Sequence, residues 1–206
     1  MENSVELVER FKKLPLGNVC DANGKTGNMT PAIKPVDVNS HLAGPAYPVQ
    51  CGRAVNLALH RAIVYAPAGS VLVVDGKGYT RCGYFGDIMA HACMERKIAG
   101  LVIDGGVRDA EDLIELGFPV FSAGINPGGT IKENLGDYSV PVTCGGVAVN
   151  PGDWIVADRD GVVVIKRDRV LQVLEKAEAI AAKEIVVRRQ LSDGKTTMEI
   201  YNLKRA

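Results

Sequence analysis

The sequence predicts an α/β fold in which a mixed, partly parallel sheet is flanked by helices, and three observations carry that prediction. Short apolar runs bounded by Gly or Pro, at 46–51, 71–75, 101–104 and 120–123, read as buried strands. Segments with helical spacing, 56–65 and 87–99, fall between them, the order that lays parallel strands under covering helices. After residue 140 the pattern changes to brief strands joined by turns, followed by one long helix rich in Ala, Glu, Lys and Leu. With 206 residues, 47% of them hydrophobic, the chain can bury a substantial core, and no low-complexity linker divides it. One domain over 1–206 is expected.

In chain order, residues 5–13 have helical spacing, and a second short helix over 19–23 precedes the Gly/Asn/Thr/Pro cluster at 24–31. The α/β alternation then occupies 46–123. Beyond 140, strands at 147–149, 154–157 and 162–165, joined by the turns Asn150-Pro151-Gly152-Asp153 and Arg159-Asp160-Gly161, read as a β-meander. The closing helix, about 167–190, carries Val170, Leu171, Leu174, Ala177, Ile180 and Ala181 as an apolar stripe that packs either on its own sheet or across an interface. A weak echo between 67–76 and 151–161 reads as recurrent turn chemistry rather than a duplicated unit.

Composition excludes several classes. Acidic and basic side chains balance at 24 each, so there is no electrostatic footprint for nucleic acid or an anionic membrane. Five cysteines, at 20, 51, 82, 93 and 144, form no CxxC pair, which argues against a disulfide framework or structural zinc and for a reducing cytoplasm. The N-terminus lacks an apolar targeting core, and no run approaches a membrane span. A cytoplasmic protein acting on a small anion is the expectation.

The chemistry concentrates in Gly100 to Ala110, GLVIDGGVRDA. An apolar strand ends there in Asp104 and the flexible pair Gly105-Gly106, then delivers Arg108 and Asp109, at the strand end where α/β sheets bind ligands. Arg108 suits a carboxylate or keto oxygen; Asp109 suits a hard cation. The bland alternative is a helix cap and a surface ion pair. Gly86-Asp87 opens the preceding helix, where first-turn amides such as those of Ile88 and Met89 can receive an anion and Asp87 can hold a metal-bound water.

Other residues carry less. His41, His60 and His91 lack zinc-site spacing and read as core or surface residues. Lys166 as a Schiff-base lysine is the minor reading, because the hydrophilic run it opens suits a solvated helix start. The run Gly124-Ile-Asn-Pro-Gly-Gly lacks a phosphate-loop pattern and reads as a turn bordering the site. Ser122 and Cys82 have no nucleophile context.

Gly86-Asp87 followed by Gly100-Leu-Val-Ile-Asp-Gly-Gly-Val-Arg108-Asp109-Ala-Glu-Asp112 resembles the class II pyruvate aldolases that cleave 4-hydroxy-4-methyl-2-oxoglutarate and 4-carboxy-4-hydroxy-2-oxoadipate. That family includes the regulator of ribonuclease E activity A. Segments 42–46, 56–62 and 67–76 fit it too, and the resemblance spans about 15–204. It implies an α/β sandwich with a swivelling β/β/α topology, assembled as trimers or hexamers with sites between subunits.

It also implies roles. Asp109 would bind Mg²⁺ or Mn²⁺ directly, and Asp87 through water. Arg108 would bind the 2-oxo acid and stabilise its enolate, with Gly86 and the Ile88 and Met89 amides helping. Glu184, from the neighbouring subunit's C-terminal helix, would complete the metal site through water, with Glu178 and Glu175 on the same helix as other candidates. Asp112 would support the loop. Many relatives carry Asp-Asn where this chain has Val55-Asn56, which bears on substrate preference. The implied reaction is retro-aldol cleavage to pyruvate, with oxaloacetate decarboxylation through the same enolate. A regulator docking on a ribonuclease is the alternative, and another oxo-acid lyase on this scaffold the third reading.

Overall fold

The structure, a computed structural model, describes residues 4–203. Residues 1–3 and 204–206 of the expected 1–206 unit lie outside the described residues. Helices α1 (Ser4–Lys12) and α2 (Leu16–Ala22) come first. Then follow β1 (Lys34–Pro35), β2 (Leu42–Cys51), α3 (Leu57–Tyr65), β3 (Val71–Tyr79), α4 (Asp87–Glu95), β4 (Gly100–Val107), α5 (Ala110–Leu116) and β5 (Val120–Ile125). Short strands β6 (Gly136–Tyr138), β7 (Val142–Cys144) and β8 (Val147–Val149) precede the hairpin β9 (Trp154–Asp158) and β10 (Gly161–Ile165). A 3₁₀ turn at Arg167–Arg169 leads into α6 (Val170–Ser192), and α7 (Thr197–Ile200) follows.

The strand order is β1-β5-β4-β3-β2-β9-β10, with β6 also on β2. Strands β2 to β5 are parallel neighbours; β1, β9 and β10 add antiparallel edges. Period-two alternation sorts the side chains. Leu72, Val74, Leu101 and Ile103 face α3, α4 and α5, whereas Val71, Val73 and Val102 face the inner sides of β9 and β10 at Ile155, Ala157, Val162 and Val164. The outer sides of that hairpin, Trp154, Val156, Val163 and Ile165, pack on Phe11 of α1, on Leu16 and Val19 of α2, and on Val170, Val173, Leu174 and Ala177 of α6. The result is the expected sandwich, helix, sheet, sheet, helix, with a mixed sheet at its centre.

Strand β2 makes the swivel. Its first half, Leu42–Pro45, pairs antiparallel with β9, and from Ala46 it pairs parallel with β3. Pro45 sits at the changeover, where a missing N–H removes no ladder bond that the switch would keep.

Three expectations need correction. The meander over 147–165 does not form: β9 and β10 pair, but β8 pairs with β7 in a separate two-stranded sheet. The cause is the turn at 150–153, whose Gly152 N–H and Asp153 carbonyl bond to Ala46, so β9 docks on β2 instead of folding back on β8. Helix 87–99 stops at Glu95, because Lys97 takes a left-handed φ of 58° and the chain turns into Ile98. On α6, Val173 joins Val170, Leu174 and Ala177 in the core, while Leu171 is exposed. Among the described residues no helix is long and apolar enough to cross a membrane.

Candidate active site

Strand β4 is longer than its apolar run and ends at Val107, so Arg108 and Asp109 are the first residues past its C-terminal end. Arg108 N–H donates to the Phe85 carbonyl at 2.9 Å, which ties this corner to the segment entering α4. Asp109 precedes α5 with φ 57° and ψ 45°, a left-handed conformation uncommon for a non-glycine residue, and such strain concentrates at functional sites. Its Oδ2 lies 3.3 Å from Arg108 Nε and 3.4 Å from the Asp87 N–H.

Two glycines make this approach possible. A Cβ on Gly83 would stand 2.7 Å from Arg108 Cβ, and one on Gly86 would be driven into Asp109 Oδ2. The Arg108 and Asp109 side chains therefore lie on a bare backbone floor, half exposed and about one-third exposed respectively. Asp87 follows Gly86 as the first residue of α4, where the helix dipole favours a negative group.

Gly83, Gly86, Asp87, Ile88, Met89 and Arg108 line one wall of a cleft of about 270 Å³. Of the two first-turn amides expected to receive an anion, Met89 N–H is already bonded to the Gly86 carbonyl at 3.1 Å, which leaves that of Ile88. Asp112 lines a separate hollow with Asp87, His91, Glu115 and Leu116, one that Arg108 does not line. Asp104 is turned away altogether, accepting from the Gly145 N–H at 3.2 Å between β7 and β8.

Glu184 is not brought to this cleft by its own chain. Its Oε2 accepts from Asn18 on α2 at 3.4 Å and from Arg188 at 2.8 Å. Glu178 is held by Arg10 through two bonds, 2.8 and 2.7 Å, and that guanidinium keeps its carboxyl below the usual range. Lys166, the Schiff-base candidate, is ion-paired at 2.7 Å to the buried Asp153. All five cysteines are free, and burial pushes the Cys51 and Cys93 thiols up to about 12, far from a thiolate nucleophile at neutral pH.

The same cleft is also lined by residues that the sequence reading left out of the site. Asn56, His60, Thr130 and Lys132 line it. Asn56 is buried; its amide nitrogen donates to the Tyr84 carbonyl at 2.7 Å and its Oδ1 accepts from Lys132 Nζ at 2.9 Å. The run after β5 thus does border the site, through Gly129, Thr130 and Lys132. His60 has a buried Nε2 without a hydrogen-bond partner among the described residues. Burial, and then the Lys132 charge, lower its pKa below the ordinary value.

Asp109 and Asp87 are hard oxygen donors at the mouth of a helix N-terminus, a set suited to Mg²⁺ or Mn²⁺, which hold few protein carboxylates and keep water or take ligand oxygens. Among the described residues no group of three or more His, Cys, Asp or Glu converges as a complete cage.

Comparison with known proteins bears on the whole chain. It is 35% identical over 197 residues to a protein of Halalkalibacterium halodurans named "Putative 4-hydroxy-4-methyl-2-oxoglutarate aldolase", covering 96% of this chain and 94% of that one. An uncharacterized protein from Pseudomonas syringae pv. tomato has a similar structure, with TM-score 0.85 at 26% identity over 99% of this chain and 96% of the other. RraAS2 of Streptomyces coelicolor, described as an unusual member of the RNase ES inhibitor RraA protein family, matches with TM-score 0.78 at 30% identity, over 90% and 98%. The family described as RraA-like, Aldolase/RraA, matches residues 16–164, and the chain belongs to that family.

Proposed function

We propose that this protein is a divalent-metal-dependent pyruvate aldolase, a carbon–carbon lyase. It would cleave a 4-hydroxy-2-oxo acid of the 4-hydroxy-4-methyl-2-oxoglutarate type to pyruvate and a second oxo acid. The observation that carries the reading is the seating of Arg108 beside Asp109 on the Gly83–Gly86 floor, with Asp87 at the head of α4. The name of the Halalkalibacterium relative supports it.

Asp109 would hold Mg²⁺ or Mn²⁺ directly, and Asp87 through water; Glu184 of a neighbouring copy would add a further carboxylate. When bound, the cation supplies Lewis-acid polarisation of the 2-oxo group. Arg108 binds the 2-oxo oxygen, and the Ile88 N–H, together with Gly86, receives the substrate carboxylate. A water held by Asp87 or Glu184 accepts the C4 hydroxyl proton. The C3–C4 bond then breaks, its electron pair passing into a pyruvate enolate whose charge the Arg108 guanidinium neutralises. Water protonates the enolate carbon to release pyruvate. Oxaloacetate would lose CO₂ through the same enolate, as a side activity.

In this reading residues 1–206 act as one cytoplasmic domain, Asp112 steadies the α5 start, and the exposed outer half of α6, with Ile185 and Val186, meets a neighbouring copy in a trimer or hexamer. A panel of 4-hydroxy-2-oxo acids assayed for pyruvate with Mg²⁺ and Mn²⁺ tests it. Turnover abolished by EDTA is expected; no turnover with any member overturns the reading. The similarity to RraAS2 favours a second reading, a regulator that docks on a ribonuclease. It predicts a stoichiometric ribonuclease complex in pull-down and no metal-dependent turnover.

A further inference from the structure

The segment that delivers Arg108 is held least regularly by its own sheet. The pairing of β4 with β3 loses register between Asp75 and Tyr79, and its pairing with β5 loses register between Ile103 and Gly106. Gly105 and Gly106 fall in that irregular stretch and have no side chains to pack. Something outside the ladder must fix the last residues before Arg108.

Tyr84 is placed to do so. It is fully buried, and its ring lies on the bare α-carbon of Gly105, where a Cβ would stand 3.2 Å from the ring atoms Cδ2 and Cε2. Its N–H donates to the Gly106 carbonyl at 2.9 Å, next to the bond from the Arg108 N–H to the Phe85 carbonyl. The far end of the ring is anchored as well. The phenol oxygen accepts from the Ala54 N–H at 2.9 Å, and its one hydrogen serves the Gly52 carbonyl at 3.2 Å or the Gly76 carbonyl at 3.3 Å. Burial, opposed by the Ala54 bond, pushes the phenol up to about 12, so it stays protonated at neutral pH and acts by shape and hydrogen bonding, not as a base.

Resting on the aldolase reading, we propose that Tyr84 is a positioning residue: its anchored ring holds the Gly105-Gly106 end of β4 so that Arg108 meets the oxygen on which the enolate charge develops. It acts through Arg108 and touches no reacting atom. That oxygen carries a full negative charge only as the carbon–carbon bond breaks, so a displaced guanidinium weakens the enolate more than the bound substrate.

Tyr84→Phe keeps the ring and removes the anchor. With a 4-hydroxy-2-oxo acid and Mg²⁺, kcat for pyruvate release falls by about tenfold to about a hundredfold while KM stays within about twofold. Calorimetry in Mg²⁺ buffer supplies a readout without turnover, using pyruvate and oxalate, whose planar pair of carboxylates stands in for the enolate. The variant loses about tenfold in oxalate affinity and keeps that for pyruvate. Unchanged kcat and KM with lowered thermal stability, a change confined to KM, an equal loss for both ligands, or a variant that does not fold overturns the proposal. Selective loss of oxalate binding, in a protein that yields no pyruvate from any 4-hydroxy-2-oxo acid, upholds the role of Tyr84 and rejects the aldolase reading alone. A wild type that neither turns over nor binds oxalate overturns both.

Discussion

Two parts of the cleft's lining are built in different ways. On one, Arg108 and Asp109 are charge-paired, partly exposed and seated on glycines, and Asp109 sits in a left-handed backbone conformation. On the other, an unstrained lysine is held by a buried neutral amide. The first wall stores strain and places opposite charges together, as a site that handles charge developing during a reaction does. The second presents one fixed charge and no strain, as a site that only recognises a ligand does. In the proposed reading the chemistry belongs to the first, a local corner, whereas the second is assembled by a contact between residues far apart in the chain.

The division can be broken at several points. The largest effect is expected from Gly86→Ala, whose Cβ is driven into the Asp109 carboxylate. Misplacing that group lowers kcat/KM for pyruvate release by about a hundredfold or more, with the fold retained by circular dichroism. Turnover within a few-fold of wild type would show that the floor does not position Asp109.

Asn56→Ala takes the Asn56 donor from the buried Tyr84 carbonyl and leaves the Lys132 ammonium with Thr130 Oγ1 at 3.4 Å. Urea unfolding should show a loss of about 1–3 kcal/mol. Unchanged stability would show that these buried bonds do not hold the start of α3 in place.

Asp109→Gly tests the strain itself. Glycine occupies φ 57° freely, so the variant gains up to about 1 kcal/mol in unfolding measurements while losing pyruvate production. Lower stability than wild type would place the strain elsewhere.

The smallest effect belongs outside the cleft. Arg10 depresses the Glu178 carboxyl, so in the folded protein the charged form is favoured. That stability is fully present above the ordinary glutamate value of about 4.3 and is lost as pH falls through the depressed folded value. Because Glu178 is 38% exposed, Glu178→Gln costs only about 0.5 kcal/mol at pH 7, a difference that vanishes toward pH 3. A difference that persists in acid would mean that the helix pair depends on shape rather than charge.

The same contrast explains what the sequence made legible. Gly86, Asp87, Arg108 and Asp109 are found within one α/β unit, at strand and helix ends whose periodicity marks them, so the corner could be read locally. Lys132 and Asn56 meet across 76 positions, and Lys132 lies in none of the segments that carry the resemblance; the stitching of Ile131 to Ala54 and Asn56 joins them. The departure noted at Val55-Asn56 lies beside this contact but gives no sign of Lys132. In the fold, the parallel strands were legible from their apolar runs. The apolar run marked that strand only from Ala46, so the half of β2 ahead of it, Leu42–Pro45, where the strand pairs with β9 instead of β3, was legible only through the resemblance. The meander failed for the same reason, since β9 prefers β2 to β8.

The central claim is that Arg108 and Asp109 together carry out metal-assisted cleavage. Its most direct test is pyruvate release from 4-hydroxy-4-methyl-2-oxoglutarate with Mg²⁺ or Mn²⁺, measured for wild type, Arg108→Ala and Asp109→Ala of matched fold and assembly. The account predicts metal-dependent turnover in the wild type and its loss in both variants. Turnover that survives in either variant would contradict it.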